Sequence, residues 1–395
     1  MSVSNSKRSA RTFAAAAVAG AGVLAAAGAL AAPASAQTAP AGTASATRLH
    51  VQRIAFGDKL HHVFRPHGTG TPRTESLTSP DDITRLGQDI FVNFQNGVGA
   101  QGEAAPDGNL DSTIVEFTLA GREVAQWDLR GKSDGLTADP VTGQVISTVN
   151  EDANSSLYTI NPCTRQITHY AYSEPLPHQG GTDSIAVHQG RLLISASAPG
   201  TTGGSAPSAA DPAVYVTTLD SRHKIARISP LYYDEAPAYQ ADGSAAGKTV
   251  KLALVDPDSS EVVPWSAPKY AGQFVLDSQA DQELIFDRVT AGGNHLTALH
   301  LSGSVDDSAW VTTPHGALYI PDATDDTVDV VTGTFTVGTM YSSVTPCDSG
   351  TAPATCPGPG YPDNYLATAS MTTGVLTPVP LSGPALHTKG MVFVP

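Results

Sequence analysis

"KSDGLTADPVTGQVISTV" (Lys132–Val149) contains an Asp, a small residue, an aliphatic run, a Gly turn and a second apolar run. About fifty residues on, "GTDSIAVHQGRLLISAS" (Gly181–Ser197) has the same outline. A Gly turn leads into a strand-like run again at Gly87, Gly272, Gly316 and Gly338, and further β runs such as "STIVEFTL" and "EVAQWDL" follow several of them. Runs of this length, rich in Val, Ile, Thr and Tyr and separated by Gly and Pro, read as strands, and no stretch holds a 3.6-residue period over three turns. Four short antiparallel strands recurring about every 40–50 residues are the pattern of a propeller blade. The expected fold is therefore all-β: a single β-propeller of about six four-stranded blades. The long step from Gly190 to Gly272 implies an insertion near "APAYQADGSAAGK", and the short step from Gly316 to Gly338 implies a compressed unit.

The C-terminal "HTKGMVFVP" (His387–Pro395) has the outline of "KSDGLTADP" but lacks a following strand. Its missing continuation is sought in "GQDIFVNF" (Gly87–Phe94), so the expectation is that the last strand pairs with the first blade. Such pairing shuts the ring and leaves no free sheet edge.

The remaining boundaries follow from composition. Lys7, Arg8 and Arg11 precede a small-residue apolar run ending in Ala34-Ser35-Ala36, which reads as a secretory signal peptide over 1–36. Residues 37–47 read as a disordered low-complexity tail, 48–84 as a lead segment and 85–395 as the propeller domain. Removing the signal takes three of the 22 Lys and Arg and none of the 37 Asp and Glu, leaving a net charge of −18. That charge argues against nucleic acid or an anionic membrane surface as partner. The expectation is a monomer secreted through a Sec-type signal, with no membrane contact after cleavage and a small-molecule or carbohydrate ligand.

Cys347 and Cys356 bracket "CDSGTAPATC" and are expected to form a local disulfide in an oxidising compartment, worth about 2.7 kcal/mol by loop closure. Cys163 is left over as a buried, inert thiol, and the three tryptophans are expected to pack between blades.

In a propeller the innermost strand of each blade starts at one mouth of the axial channel. Asp134, Asp183, Asp258 and Asp307 all sit at such starts, and a loop reaching the same face carries Asn150 and Glu151. Crowded carboxylates repel unless protonated or bound to a cation, and hard oxygen ligands suit Ca²⁺ or Mg²⁺. These six residues are the candidate metal ligands. Alternatively, each Asp caps backbone N–H groups of its own turn and ties neighbouring blades together.

"SDGLTADPVTGQV" resembles a blade of the NHL/YVTN-type and SMP-30/gluconolactonase-like propellers. In the latter, an Asn or Asp before Gly-aliphatic supplies a divalent-metal ligand, and the resemblance places Asp134 in "DGL" and Asp183 in "DSI" at that position. The family's N-terminal Glu ligand has no match, and Lys389 stands in "TKGM" instead. Two functions follow as expectations. One is an extracellular binding or scaffold propeller holding a small ligand or divalent cation at its channel mouth. The other is a metal-dependent hydrolase, a lactonase or esterase, with His178 in "PHQGGTDS" as a candidate general base.

Overall fold

The computed structural model describes residues 48–68, 70–177, 180–199, 211–290, 293–347 and 364–395. The signal and tail segments (1–47), His178 and Cys356 lie outside these residues.

The described chain is a β-propeller. The first sheet runs outward in chain order through Pro80–Leu86, Asp89–Phe94, Asp111–Thr118 and Glu123–Arg130. The next two follow the same plan from inner strands Ser133–Asp139 and Thr182–His188. They join at their rims, where Gln166–Tyr172 pairs in parallel with Ile225–Tyr233. The fourth begins at Pro257–Val262, and the expected insertion adds Pro237–Gln240 and Thr249–Lys251 to its outer edge.

The last two sheets interleave. Val305–Trp310 is an inner strand, but the chain then leaves its sheet to build Ala317–Asp322 and Thr327–Thr332 of the neighbouring one. It returns to add Met340–Val344, Tyr365–Ala369 and Leu376–Pro378 to the first. The short Gly316–Gly338 step is thus an excursion between sheets rather than a compressed blade.

Closure differs from the expectation. The C-terminal strand Val392–Val394 pairs with Ala317–Asp322, not with Ile90–Phe94. The edge of Asp89–Phe94 is already held by Pro80–Leu86, with Thr84 opposite Phe91. The N-terminal strand Leu49–Phe56 completes the closing sheet by pairing with Thr327–Thr332. Much of 48–84 is therefore integral to the ring rather than a lead segment. Between this closing sheet and the first, Ile83, Ile90, Val92, Phe94 and Phe117 pack against Tyr319, Val328 and Val394. Fully burying a Phe or Ile stabilises by roughly 1.5–3 kcal/mol, so a few such side chains outweigh any single hydrogen bond across the joint.

Two further expectations are corrected. Cys163 is exposed, because it sits in the turn between Ser156–Asn161 and Gln166–Tyr172. Trp127 and Trp310 are core residues, but Trp265 is 85% exposed, lying over Gly272 where no side chain intervenes.

Candidate functional site

The aspartates share a structural cause. At the start of each of five inner strands the antiparallel register slips: between Pro80 and Ile83, Ser133 and Leu136, Thr182 and Ile185, Pro257 and Ser259, and Val305 and Ser308. Each slip is a β-bulge, which releases residues from the ladder and re-aims their side chains. The bulged residues are Asp81-Asp82, Asp134-Gly135, Asp183-Ser184, Asp258 and Asp306-Asp307.

The two positions of a bulge do different work. The second joins the next inner strand. Asp82 Oδ2 accepts the Leu136 amide at 2.6 Å, and Asp307 Oδ2 accepts the Met391 amide at 2.5 Å. Where Gly stands there, the backbones touch: a methyl on Gly135 would lie 2.4 Å from the Asp183 carbonyl oxygen. Gly390 likewise donates its amide to the Asp81 carbonyl at 2.8 Å. Opposite the bulge, a polar residue on the second strand reaches across as well. Asn93 Nδ2 donates to the Asp134 carbonyl at 2.7 Å, Thr148 Oγ1 to that of Asp183 at 2.5 Å and Ser195 Oγ to that of Pro257 at 3.1 Å.

The first position lines the axial cavity. By the equivalence of Leu136 and Met391 as amide donors, Lys389 occupies in the closing strand the place of Asp134. Around the mouth, the order is Asp81, Asp134, Asp183, Asp258, Asp306 and Lys389. All six line a cavity of about 870 Å³, joined by Lys132, Glu151, Asp152 and Glu261. No Trp, Tyr or Phe lines it among the described residues.

Two lysines serve part of this ring. Lys389 Nζ lies 2.6 Å from Asp306 Oδ1 and 3.3 Å from Asp81 Oδ1. Lys132 is ion-paired with Glu151 and lies 3.7 Å from Asp134 Oδ2. Gln95 Nε2 donates to Asp81 Oδ2 at 2.8 Å, and Gln279 Nε2 to Asp306 Oδ1 at 3.2 Å. Asp134 Oδ2 is enclosed and accepts no hydrogen bond among the described residues. Each of Asp134, Glu151 and Asp183 offers an oxygen within 4.8 Å of the others. Ca²⁺ binds oxygens at about 2.3–2.6 Å, so one ion reaches across such a group.

The electrostatics follow from burial. Burial pushes the carboxyls of Asp134, Asp183 and Asp258 well above the usual range, and neighbouring carboxylates add to it. Burial also opposes the Asp81 charge, but Lys389 and Lys132 outweigh it and hold that carboxyl low. Glu151 is likewise lowered despite burial, through its hydrogen bond with Asp134 and its pairing with Lys132. The two neighbouring carboxyls are thus pushed in opposite directions, Asp134 up and Glu151 down. Glu261 is pushed up to about 8 by burial and by Asp307.

Of the candidate ligands, Asp134, Glu151 and Asp183 come together, and Asp258 lines the same cavity. Asp307 stands at the second bulge position, where Ser259 Oγ at 3.0 Å and the Met391 amide occupy its two oxygens. Asn150 is turned away: its Oδ1 accepts the Lys132 amide at 2.9 Å and its Nδ2 donates to the Asn154 carbonyl at 3.1 Å. Asp81, Asp82, Asp306 and Lys132 escaped the sequence reading. "PDDITRLGQD" carried the signal, since its Asp, aliphatic and Gly spacing matches "SDGLTADPVTGQ".

Fold and cavity together define a β-propeller whose axial mouth is acidic. No family model matches the chain, and no curated protein matches its sequence. Among solved structures, it is similar to the periplasmic gluconolactonase of Pseudomonas aeruginosa at 10% identity and TM-score 0.41, over 88% of this chain and 99% of that one. A protein of unknown function from Bacteroides caccae is similar at 10% identity and TM-score 0.43, over 85% and 98%. The Cps50 (Swd1) β-propeller domain of Myceliophteria thermophila is similar at 13% identity and TM-score 0.37, over 76% and 84%.

Proposed function

We propose that this propeller is an extracellular binding protein that holds a divalent cation, Ca²⁺ or Mg²⁺, at its axial mouth, and with it a small polar ligand. The supporting observation is the convergence of Asp134, Glu151 and Asp183 within 4.8 Å, beside an Asp134 oxygen that accepts no hydrogen bond. A cation there competes with protons at the raised carboxyls of Asp134 and Asp183 and with the Lys132 ammonium for Glu151, so binding strengthens as pH rises. Calorimetric titration of metal-free protein with Ca²⁺ and Mg²⁺ tests this. Saturable binding of one ion with proton release is expected, weakened at least tenfold by Glu151→Gln. No binding, or binding indifferent to Glu151→Gln and Asp134→Asn, overturns it.

A second reading, a metal-dependent lactonase or esterase, draws support from Glu261. A cavity carboxyl pushed up to about 8 holds its proton at neutral pH and is matched to give it to a leaving group. A bound cation would supply carbonyl polarisation, with Glu261 giving its proton to the leaving oxygen. Lactone or ester turnover that is lost with chelator and with Glu261→Gln would favour it. A ligand-dependent thermal shift without turnover leaves the binding reading.

A further inference from the structure

The ring of bulged residues has already solved one recognition problem twice, that of holding a primary ammonium. Lys389 Nζ rests on Asp306 and Asp81 at 2.6 and 3.3 Å. Lys132 Nζ pairs with Glu151 and lies 3.7 Å from Asp134 Oδ2. The two remaining members, Asp183 and Asp258, are successive in the ring; among the described residues their carboxylates accept no hydrogen bond and have no cation in direct contact, Lys132 and Lys389 acting on them only at longer range. Asp183 is only 5% exposed yet lines the cavity, a buried acid facing open space.

We infer that the gap between Asp183 and Asp258 takes the primary ammonium of a small ligand, which would give these two ring acids the direct cationic contact that Asp81, Asp134 and Asp306 have from the lysines. The donor chemistry favours a primary amine. Its N–H groups match carboxylate oxygens, as the two lysines demonstrate in place, whereas quaternary ammonium recognition relies on aromatic faces. The cavity lining offers no aromatic face among the described residues. The volume of about 870 Å³ leaves room for an aliphatic chain behind the nitrogen. The inference rests on the reading of the cavity as a ligand site but not on the metal, with which it shares Asp183, so the amine is titrated into metal-free protein.

The test is calorimetric titration of the full chain with n-butylammonium, which reproduces a lysine side chain, against tetramethylammonium, which has the charge without N–H donors. Saturable butylammonium binding is expected, with tetramethylammonium at least tenfold weaker. Asp258→Asn should weaken butylammonium at least tenfold and leave Ca²⁺ binding unchanged, while Glu151→Gln does the reverse. If Asp258→Asn does not fold, Asp258→Ser supplies the same comparison. Absence of butylammonium binding, equal binding of both amines, or indifference to loss of the Asp258 carboxylate overturns the inference. Loss of the Ca²⁺ reading alone, with butylammonium binding intact, sinks the metal and spares the amine.

Discussion

Asp307 Oδ2 accepts the Met391 amide at 2.5 Å, linking an inner strand to the C-terminal strand that closes the ring. The same carboxylate takes the Ser259 hydroxyl at 3.0 Å, so one side chain spans three neighbouring inner strands. Asp307→Ala leaves a buried amide and a buried hydroxyl without acceptors. The expected loss is about 2–4 kcal/mol in urea unfolding, against about 1 kcal/mol for Asp307→Asn, which keeps one oxygen. Equal stability of the Ala variant and wild type would refute the joint.

Stability should fall as pH rises in chelator. Burial pushes Asp82, Asp134, Asp183, Asp258 and Asp277 well above the carboxylate range, Asp307 to about 7 and Glu261 to about 8. An acid whose folded value is raised contributes stability that is complete below its unfolded value, about 4, and is lost as pH climbs through the folded one. Lowered groups such as Asp81 act oppositely but are fewer within the cavity. Thermal melts in chelator should therefore show a decreasing Tm from pH 5 to 8, and added Ca²⁺ should restore it most at the upper end. A Tm that is flat or rising with pH in chelator would contradict the ring's electrostatics.

Gly135 is required by the approach of the next strand rather than by its own φ. A methyl there would meet the Asp183 carbonyl oxygen at 2.4 Å and Ser184 Cα at 2.9 Å, both backbone atoms of the adjoining sheet. Gly135→Ala should cost roughly 1–3 kcal/mol. Gly70→Ala, with nothing within 4 Å, should be neutral in the same unfolding measurement.

His62 anchors the hairpin of His61–Phe64 and Arg73–Ser76 to the outside of the first sheet. Its Nε2 lies 2.9 Å from Glu75 Oε1 and its Nδ1 3.2 Å from Asp128 Oδ1. Burial opposes the imidazolium, but the two carboxylates outweigh it and raise its pKa. The latch is thus strongest below the ordinary histidine value of about 6.5 and weakens as pH rises through the raised one. His62→Ala should release the hairpin to proteolysis between 61 and 76 while leaving the cavity's ligand binding intact. Unchanged protease resistance would dismiss the latch.

Much of this design was legible in the chain. The spacing in "SDGLTADPVTGQ" and "TDSIAVHQG" marked the inner strands, and the aspartates converge on one cavity as that spacing implied. Asp307 lines the cavity as its spacing implies, but its neighbour Asp306 takes the ring position contacted by Lys389, because a bulge frees two residues and sequence does not say which does which work. Asp81 and Asp82 were lost because "DDITRLG" was placed within a lead segment. The interleaved sheets were invisible for a different reason: strand periodicity reports each strand but not its neighbour. Asn93, Thr148 and Ser195 left a fainter mark, a buried polar residue late in a second strand's apolar run.

The closing sheet is assembled from Leu49–Phe56, Ala317–Asp322, Thr327–Thr332, Leu381–Ser382 and Val392–Val394, segments far apart along the sequence. Bringing such distant segments together costs loop entropy before any contact is gained. Closing the circle is therefore a late, long-range step of folding. Lys389 precedes the strand that shuts the ring, so the mouth gains its balancing ammonium only as the circle closes.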